Sequence, residues 1–245
     1  MRHRRRVASP ALEIGMILNP TFNGLNLRLA SAWFNYVHED YLGIRRSQES
    51  PLEALQGGLD LALRLRGGLR FNSGLWFTEQ GYRQQYDYNI NKLPAYRGGT
   101  SDLFGNRLIE AYFIDPTPEQ VRYTGTSRIQ MIQIPVQMGY EHRLGLRGGI
   151  TVQAGTAASF LMSSEGMNIS YSNLQLNSGN SNWFRNTQWT VLGSVSCYRQ
   201  VNPFMRLGLG LRRSQALSNE YKSGAPIIGK GGSTGIQFNL HYRIY

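Results

Sequence analysis

No run of roughly 18 apolar residues occurs in the chain, so the sequence offers no helix that could span a bilayer. Cysteine is nearly absent. Cys197 stands alone, and a single thiol forms no internal disulfide. It falls in phase with Trp189, Val191 and Val195 on an apolar face, where it reads as a small buried hydrophobe rather than a reactive thiol. Histidine is scarce, and His3, His38, His142 and His241 show no ligand spacing, so the sequence implies no metal site and no cofactor. Acids are few, 15 against 26 basic residues, for a net charge of +11. Only Lys92, Lys222 and Lys230 are lysines, and the other basic residues are arginines. A basic balance of this size ordinarily suggests nucleic acid. Here the arginines are spread over many segments instead of forming one stripe, which argues against a nucleic-acid partner.

What the chain has in quantity is alternation. In Ile236–Ile244 the even positions Ile236, Phe238, Leu240, Tyr242 and Ile244 are apolar, and Gln237, Asn239, His241 and Arg243 are polar. A strand sends successive side chains to opposite faces, so one face is greasy and the other can hydrogen-bond. Leu59, Leu61, Leu63 and Leu65 alternate in the same way with Asp60, Ala62, Arg64 and Arg66, as do Met205, Leu207, Leu209 and Leu211 with Arg206, Gly208, Gly210 and Arg212. Repeated along a whole chain, the pattern describes a barrel with lipid outside and a polar lumen. The mean hydropathy of −0.36 fits, because half of every such strand is polar.

The expected fold is therefore all-β, an eight-stranded antiparallel up-and-down transmembrane β-barrel. Its strands are read at about 11–19, 55–66, 69–88, 127–141, 147–163, 186–201, 204–218 and 233–245. Three connections are tight: Arg66-Gly67-Gly68, His142-Arg143-Leu144-Gly145 and Val201-Asn202-Pro203. Four are long, about 20–54, 89–126, 164–185 and 219–232, and they alternate with the short ones. That is the outer-membrane arrangement, with tight periplasmic turns, external loops and both termini in the periplasm. Leu25, Leu27, Leu29 and Trp33 could form a further strand, but a ninth would break the alternation, so they are assigned to the first loop. Residues 107–114 and 119–124 are expected to extend the second loop as a hairpin around Asp115-Pro116-Thr117-Pro118. Pro135 donates no ladder hydrogen bond, and a bulge is expected there. Residues 1–10 form a basic periplasmic tail, and 11–245 the barrel. The start Met-Arg-His-Arg-Arg-Arg lacks the apolar core of a signal peptide, so the chain reads as a mature form or a piece of a longer one.

A barrel of this size has an interior just filled by side chains. The expected lumen charge network comprises Glu13, Asp60, Arg64, Arg70, Glu141, Arg206, Arg212, His241 and Arg243, with Gln153 and Gln237 beside it. Buried charge must be paired, so each acid is expected to meet more than one arginine, and Glu13 to meet Arg243 or Arg70. Arg199, in phase with the outer face, is placed to meet lipid phosphate, and Tyr140 and Tyr242 read as interfacial anchors. The two longest loops carry Phe22, Trp33, Phe34, Tyr36, Tyr41, Tyr96, Phe104, Tyr112 and Phe113. These aromatics either pack as a cap or offer a partner-binding surface.

Two segments carry a resemblance. Ser73-Gly74-Leu75-Trp76-Phe77-Thr78-Glu79-Gln80-Gly81 and Ile132-Gln133-Ile134-Pro135-Val136-Gln137-Met138-Gly139-Tyr140 resemble strands of the outer-membrane β-barrels of Bacteroidota, the broad family that includes PorT-like barrels. Tyr245 is similar to their aromatic terminal residue, although it falls on the polar phase. The resemblance implies a bacterial outer-membrane location and says little about activity. Four functions compete. The chain could be a non-enzymatic anchor or assembly component of an envelope complex or signalling tether, or an enzyme acting on lipid or peptide at the external rim. It could also be a small channel or a soluble ligand-binding barrel. The enzyme reading rests on His38-Glu39-Asp40, the one compact titratable group, which a solvated loop explains better. A channel conflicts with eight strands, and a soluble barrel with the polarity of the faces. The non-enzymatic anchor is the reading taken here. Its partners would be outer-membrane lipid and lipopolysaccharide, the barrel-assembly machinery during insertion, and an envelope protein.

Overall fold

Eight long antiparallel strands close into a ring in the computed structural model, which describes residues 10–29, 36–90, 95–96, 111–112, 119–169, 176–178, 184–222 and 227–244. They are β1 (Ala11–Leu29), β2 (Glu53–Arg64), β3 (Leu69–Ile90), β4 (Glu119–Arg143), β5 (Gly148–Glu165), β6 (Thr187–Gln200), β7 (Met205–Ala216) and β8 (Ile227–Arg243). Neighbours in sequence are neighbours in the wall, and β1 pairs with β8 from Glu13↔Arg243 to Leu29↔Ile227 to complete it. A full ring leaves no strand edge unpaired, which the bilayer requires. Glu49–Pro51 adds a short ninth strand against the far end of β3.

The alternation read from the sequence is the alternation of the wall. Leu12, Ile14, Met16 and Leu18 face outward and are exposed, whereas Glu13, Ile17 and Asn19 are buried. Leu59, Leu61 and Leu63 likewise face out, and Asp60, Ala62 and Arg64 face in. Cys197 departs from expectation. It is exposed on the outward face with Trp189, Val191 and Val195, because that face meets the surroundings and not a protein core.

The three tight turns stand as expected. Leu65, Leu144 and Val201 each donate a backbone bond across their turn, to Leu69, Gly148 and Met205. Gly67 (φ 81°), Gly68 (φ 93°) and Gly145 (φ 104°) supply left-handed backbone that a side chain disfavours. In the third turn the Asn202 side chain accepts from the backbone of Phe204 and Met205 at 2.9 and 2.7 Å. Pro135 produces no bulge. Its register with Ala157 is continuous, and Ser73 Oγ donates to its carbonyl at 2.9 Å. The irregularity lies at Gln130/Met131.

The strands run further than expected at the opposite end. Leu25–Leu29 neither loops out nor makes a ninth strand but continues β1 in register with β8. Residues 119–124 extend β4 against β3 as far as Ile90↔Glu119, and Ala111–Tyr112 pairs with Ala95–Tyr96 as a separate two-stranded piece. Met167–Ile169 pairs with Leu176–Ser178. Much of the chain assigned to loops 20–54, 89–126, 164–185 and 219–232 is thus paired strand or helix. In these extensions the alternation changes sign. On β3, Tyr82, Gln84 and Tyr86 are buried on the inward phase, while Arg83, Gln85 and Asp87 are exposed on the outward phase. Beyond the membrane band, water lies outside and the apolar groups turn inward.

Among the described residues one α-helix packs at the long-connection end of the barrel. The helix α1 (Tyr36–Gln48) buries Leu42 and Arg45, and Arg46 Nη2 donates to the Leu27 carbonyl on β1. Arg45 and Arg46 occupy its last turn, where cations complement the helix dipole. Gln48 mimics a strand partner. Its amide donates to the Asp87 carbonyl at 3.0 Å and accepts from the Asp87 N–H at 2.9 Å. No helix among the described residues is long and apolar enough to cross a membrane.

Candidate functional site

The interior is built in three layers. At the short-turn end, alternation brings Glu13 (β1), Arg64 (β2), Arg70 (β3), Glu141 (β4) and Arg206 (β7) into one buried cluster. Arg206 bridges the two glutamates. Its Nη1 lies 3.2 and 3.3 Å from the Glu13 oxygens, and its Nη2 lies 2.8 Å from Glu141 Oε2. Glu13 also meets Arg70 at 3.5 Å and Arg64 and Arg243 at 3.9 Å. Glu141 is completed by Arg64 at 3.4 Å and by the Tyr198 hydroxyl, which donates at 2.8 Å. The Tyr198 ring also lies 3.8 Å from the Arg206 guanidinium carbon, a cation–π contact. Arg243, at the rim, is partly exposed. The expected pairing of Glu13 with Arg70 and Arg243 is present at these distances, but its shortest contacts are with Arg206.

Beside this cluster, Asp60 accepts from Asn72 at 2.8 Å, and His241 Nε2 is 3.7 Å from the same carboxylate oxygen. Arg70 Nη2 lies 3.3 Å from both ring nitrogens of His241, and its Nε donates to Asn72 at 2.9 Å. Arg212 stands apart from the ion pairs. Its guanidinium carbon sits 3.9 Å from the centroid of Trp76, which is fully buried. Trp76 fits because its cross-strand partner is Gly58, where a Cβ would come within 2.6 Å of the Trp76 Cα.

The second layer is neutral. Asn19 donates to Gln56, Gln56 donates to Thr78 and Gln133, and Gln133 donates to Ser159, a chain across β1, β2, β3, β4 and β5. Gln153 donates to Asn72 at 3.0 Å and so ties this face to the charged layer. Two cavities among the described lumen residues are about 20 and 30 Å³, close to the space of single water molecules.

The third layer is the cap. Leu27, Leu42, Tyr82, Tyr86, Ile129, Met131, Ile169, Phe184 and Tyr221 form one buried cluster. Phe184 stacks on Tyr221 with centroids 5.1 Å apart, and Tyr86 on Tyr123 at 6.1 Å. Arg45 binds Glu49 with both ends of its guanidinium, at 2.8 and 2.9 Å, and donates to the Tyr221 hydroxyl at 3.2 Å. Tyr86 donates to Glu49 and accepts from Gln84 at 3.0 Å. Glu220, in the connection between β7 and β8, is buried, and burial pushes its carboxyl up to about 7 although the Gly231 N–H and Arg45 pull the other way.

Of the aromatics expected to cap or bind, Phe22 alone has its side chain among the described residues. Phe22 is exposed on the outer wall. Tyr36 and Tyr41 fall in α1, and Tyr96 and Tyr112 in the separate two-stranded piece; their side chains lie outside the described residues, as do those of His38, Glu39 and Asp40. Trp33, Phe34, Phe104, Phe113 and Tyr245 lie outside them altogether. The cap aromatics were legible in one respect. Tyr82, Tyr86, Tyr88 and Tyr123 sit on the phase that faces the lumen.

The family model described as outer membrane protein beta-barrel domain matches residues 12–222. Among solved structures the chain is similar to Neisserial surface protein A (NspA), at 9% identity and a TM-score of 0.47, covering 95% of this chain and 99% of that one. It is also similar to the outer membrane protease OmpT from Escherichia coli, at 9% identity and a TM-score of 0.44, covering 96% and 97%. OprG from Pseudomonas aeruginosa is similar at 8% identity and a TM-score of 0.43, covering 98% and 97%. The sequence matches no curated protein.

Proposed function

The chain belongs to the outer membrane protein beta-barrel domain family, and from that premise we propose that it is a non-enzymatic barrel that anchors an envelope assembly to the outer membrane. The observation that carries this reading is the filled interior. Among the described residues a bridged ionic cluster, an amide chain and an aromatic cap occupy the lumen in sequence, and two cavities between their side chains measure about 20 and 30 Å³. A barrel filled in this way is an inert support, and its contacts with other molecules are made from its ends and its outer wall. The polar groups that meet at the mouth, Arg45, Glu49, Gln84 and Tyr86, are engaged with one another, which favours a cap over a catalytic rim.

In this reading the long connections face the cell exterior and both termini the periplasm, with residues 1–10 as a basic periplasmic tail. The kinship is with the PorT-like barrels of Bacteroidota, on the two strand segments quoted above. The partners are outer-membrane lipid, the assembly machinery during insertion, and an envelope protein held through the tail or the loops. The test has two arms. Planar-bilayer recording of the purified barrel is expected to give no long-lived open steps, and reproducible steps would overturn the filled-support reading. Crosslinking in intact cells is expected to capture one recurrent envelope protein, and its loss on removing residues 1–10 or on shortening 20–54 assigns the contact. Recovery of no specific envelope protein by any of the three chains would overturn the anchor.

A further inference from the structure

Where β1, β8 and β7 leave the apolar band, the outer wall carries a groove of about 1030 Å³ whose charge is all of one sign. The register sets its plan. Phe22, Thr234 and Arg213 form one row across the three strands, and Gly24, Gly232 and Gln215 form the next. Lys230 lies one outward position further along β8, and Arg28 two further along β1. Neither glycine projects a side chain into the groove; a Cβ on Gly24 would meet nothing nearer than 3.9 Å, whereas the Gln215 side chain reaches over Gly232. Arg213, Lys230 and Arg28 line the groove and are all exposed, and no carboxylate among the described residues lines it. Glu53 is next to Phe22, but on the β2 side, away from the cations.

The depth of the groove in the wall identifies its occupant. The outward residues immediately below it, Leu18, Leu211, Ile236 and Phe238, are exposed and apolar, and the outward side of β8 stays apolar to Ile244. Ile236 to Ile244 is nine residues, at the short end of the roughly 9–11 that a tilted transmembrane β-strand uses. Arg213 therefore sits one outward step above the hydrocarbon edge, at the level of lipid headgroups, with Lys230 two outward steps further along the wall and Arg28 one beyond that. Phe22, 66% exposed at that edge, offers an aromatic face between the two zones. We infer that this groove binds a phosphate-bearing membrane lipid. Arg213 and Lys230 flank the Gly24–Gly232 row and hold the headgroup phosphate there, Arg28 extends the positive wall above it, and the acyl chains lie along the outward faces of β1, β7 and β8. A soluble phosphate would have no use for the apolar wall beneath. This deepens the proposed contact with outer-membrane lipid and does not depend on the anchor reading.

The test is native mass spectrometry of the detergent-purified full chain with diacyl phosphatidate, with phosphatidylcholine of the same chains, and with glycerol phosphate. Wild type is expected to retain phosphatidate in preference to the other two. The triple variant Arg28→Gln, Arg213→Gln, Lys230→Gln is expected to lose about tenfold or more of that retention. A matched triple at the other end, Arg66→Gln, Arg143→Gln, Arg147→Gln, is expected to keep it. Gly24→Leu, which puts a side chain into the groove and leaves every charge in place, is expected to lose it as well. Heat-modifiable migration on gels reports that each variant is folded. If the triple does not fold, Gly24→Leu and single Lys230→Gln carry the test, the latter with a loss of about threefold. Unchanged retention in the groove variants overturns the site. Equal loss in the matched triple makes the attraction diffuse and overturns it too. Binding of glycerol phosphate as strong as that of phosphatidate overturns the lipid as occupant. Lipid retention is read independently of partner capture, so either proposal can fail alone.

Discussion

At the short-turn end of the lumen, Arg206 sits between two buried carboxylates and the order of the interior is electrostatic. At the long-connection end, Tyr86, Tyr123, Phe184 and Tyr221 stack around Leu42 of α1, and the order is that of an ordinary apolar core with Arg45–Glu49 pinned into it. The same ring of strands surrounds both. The difference follows from what lies outside the wall. Within the bilayer the outward face must be apolar, which leaves the polar residues to the lumen, where they can only pair with one another. Past the band water covers the outside, so Arg83 and Asp87 point out and Tyr82 and Tyr86 point in. The medium outside determines which half of each alternating strand becomes core.

The comparison is broken most directly at Arg206. Replacing it with Met leaves Glu13 and Glu141 without their shortest partner, and a loss of about 3–5 kcal/mol in the urea unfolding of vesicle-inserted barrel is expected. Glu13→Gln is expected to fall in the same range, because Arg70 and Arg206 then face a neutral amide. An unchanged midpoint in both would show that the cluster contributes little beyond filling space.

The cap is tested by pH. Burial raises the Glu220 carboxyl from 4.5 to about 7, so between those values the folded chain holds a proton that the unfolded chain has released. Stability from this group is full below about pH 4.5 and is lost as pH rises through about 7. Arg45 from α1, Tyr82 from β3 and Glu49 and Tyr221 nearby are the groups that share this environment. Glu220→Gln is expected to flatten the pH profile, adding about 3 kcal/mol at pH 8 and nothing at pH 4. A variant whose profile parallels wild type would remove Glu220 from the buried side of the cap.

Smaller effects sharpen the contrast. Leu42→Ala is expected to cost about 2 kcal/mol and to expose the mouth to added protease while heat-modifiable migration stays intact, since α1 packs on a barrel already closed below it. Loss of barrel assembly in that variant would make the cap part of the fold's foundation. The smallest effect is expected from Asp87→Asn. Its pair with Arg122 is 3.5 Å long, but the two side chains are 61% and 71% exposed. A change within about 0.5 kcal/mol is expected, against the several expected at Arg206.

Much of this was legible in the residues. The alternation in β2, β7 and β8 gave the facing of Asp60, Arg64, Arg206, Arg212 and His241, because the two-residue period is a local property of the strand. The site was less legible than the fold. That Arg206 holds both Glu13 and Glu141, or that Tyr198 completes Glu141, depends on side chains from strands far apart in sequence meeting across the lumen. The strand extensions resemble loops in the sequence because their apolar residues change faces, and one constant phase ends where the membrane ends.

The sequence by itself determined the architecture of the wall: outward leucines, inward polar groups, and tight turns alternating with long connections. All of these are written in short-range pattern and in glycines such as Gly67 and Gly145. Only the tertiary structure decided how the interior is filled. Ring closure through Glu13↔Arg243 and the continuous register of each pair bring β1, β4 and β7 to bear on one point, and they turn Tyr86 and Tyr221 toward a helix no pattern had marked. Those contacts depend on the registers of all eight strands together, and a local period of two carries no information about them.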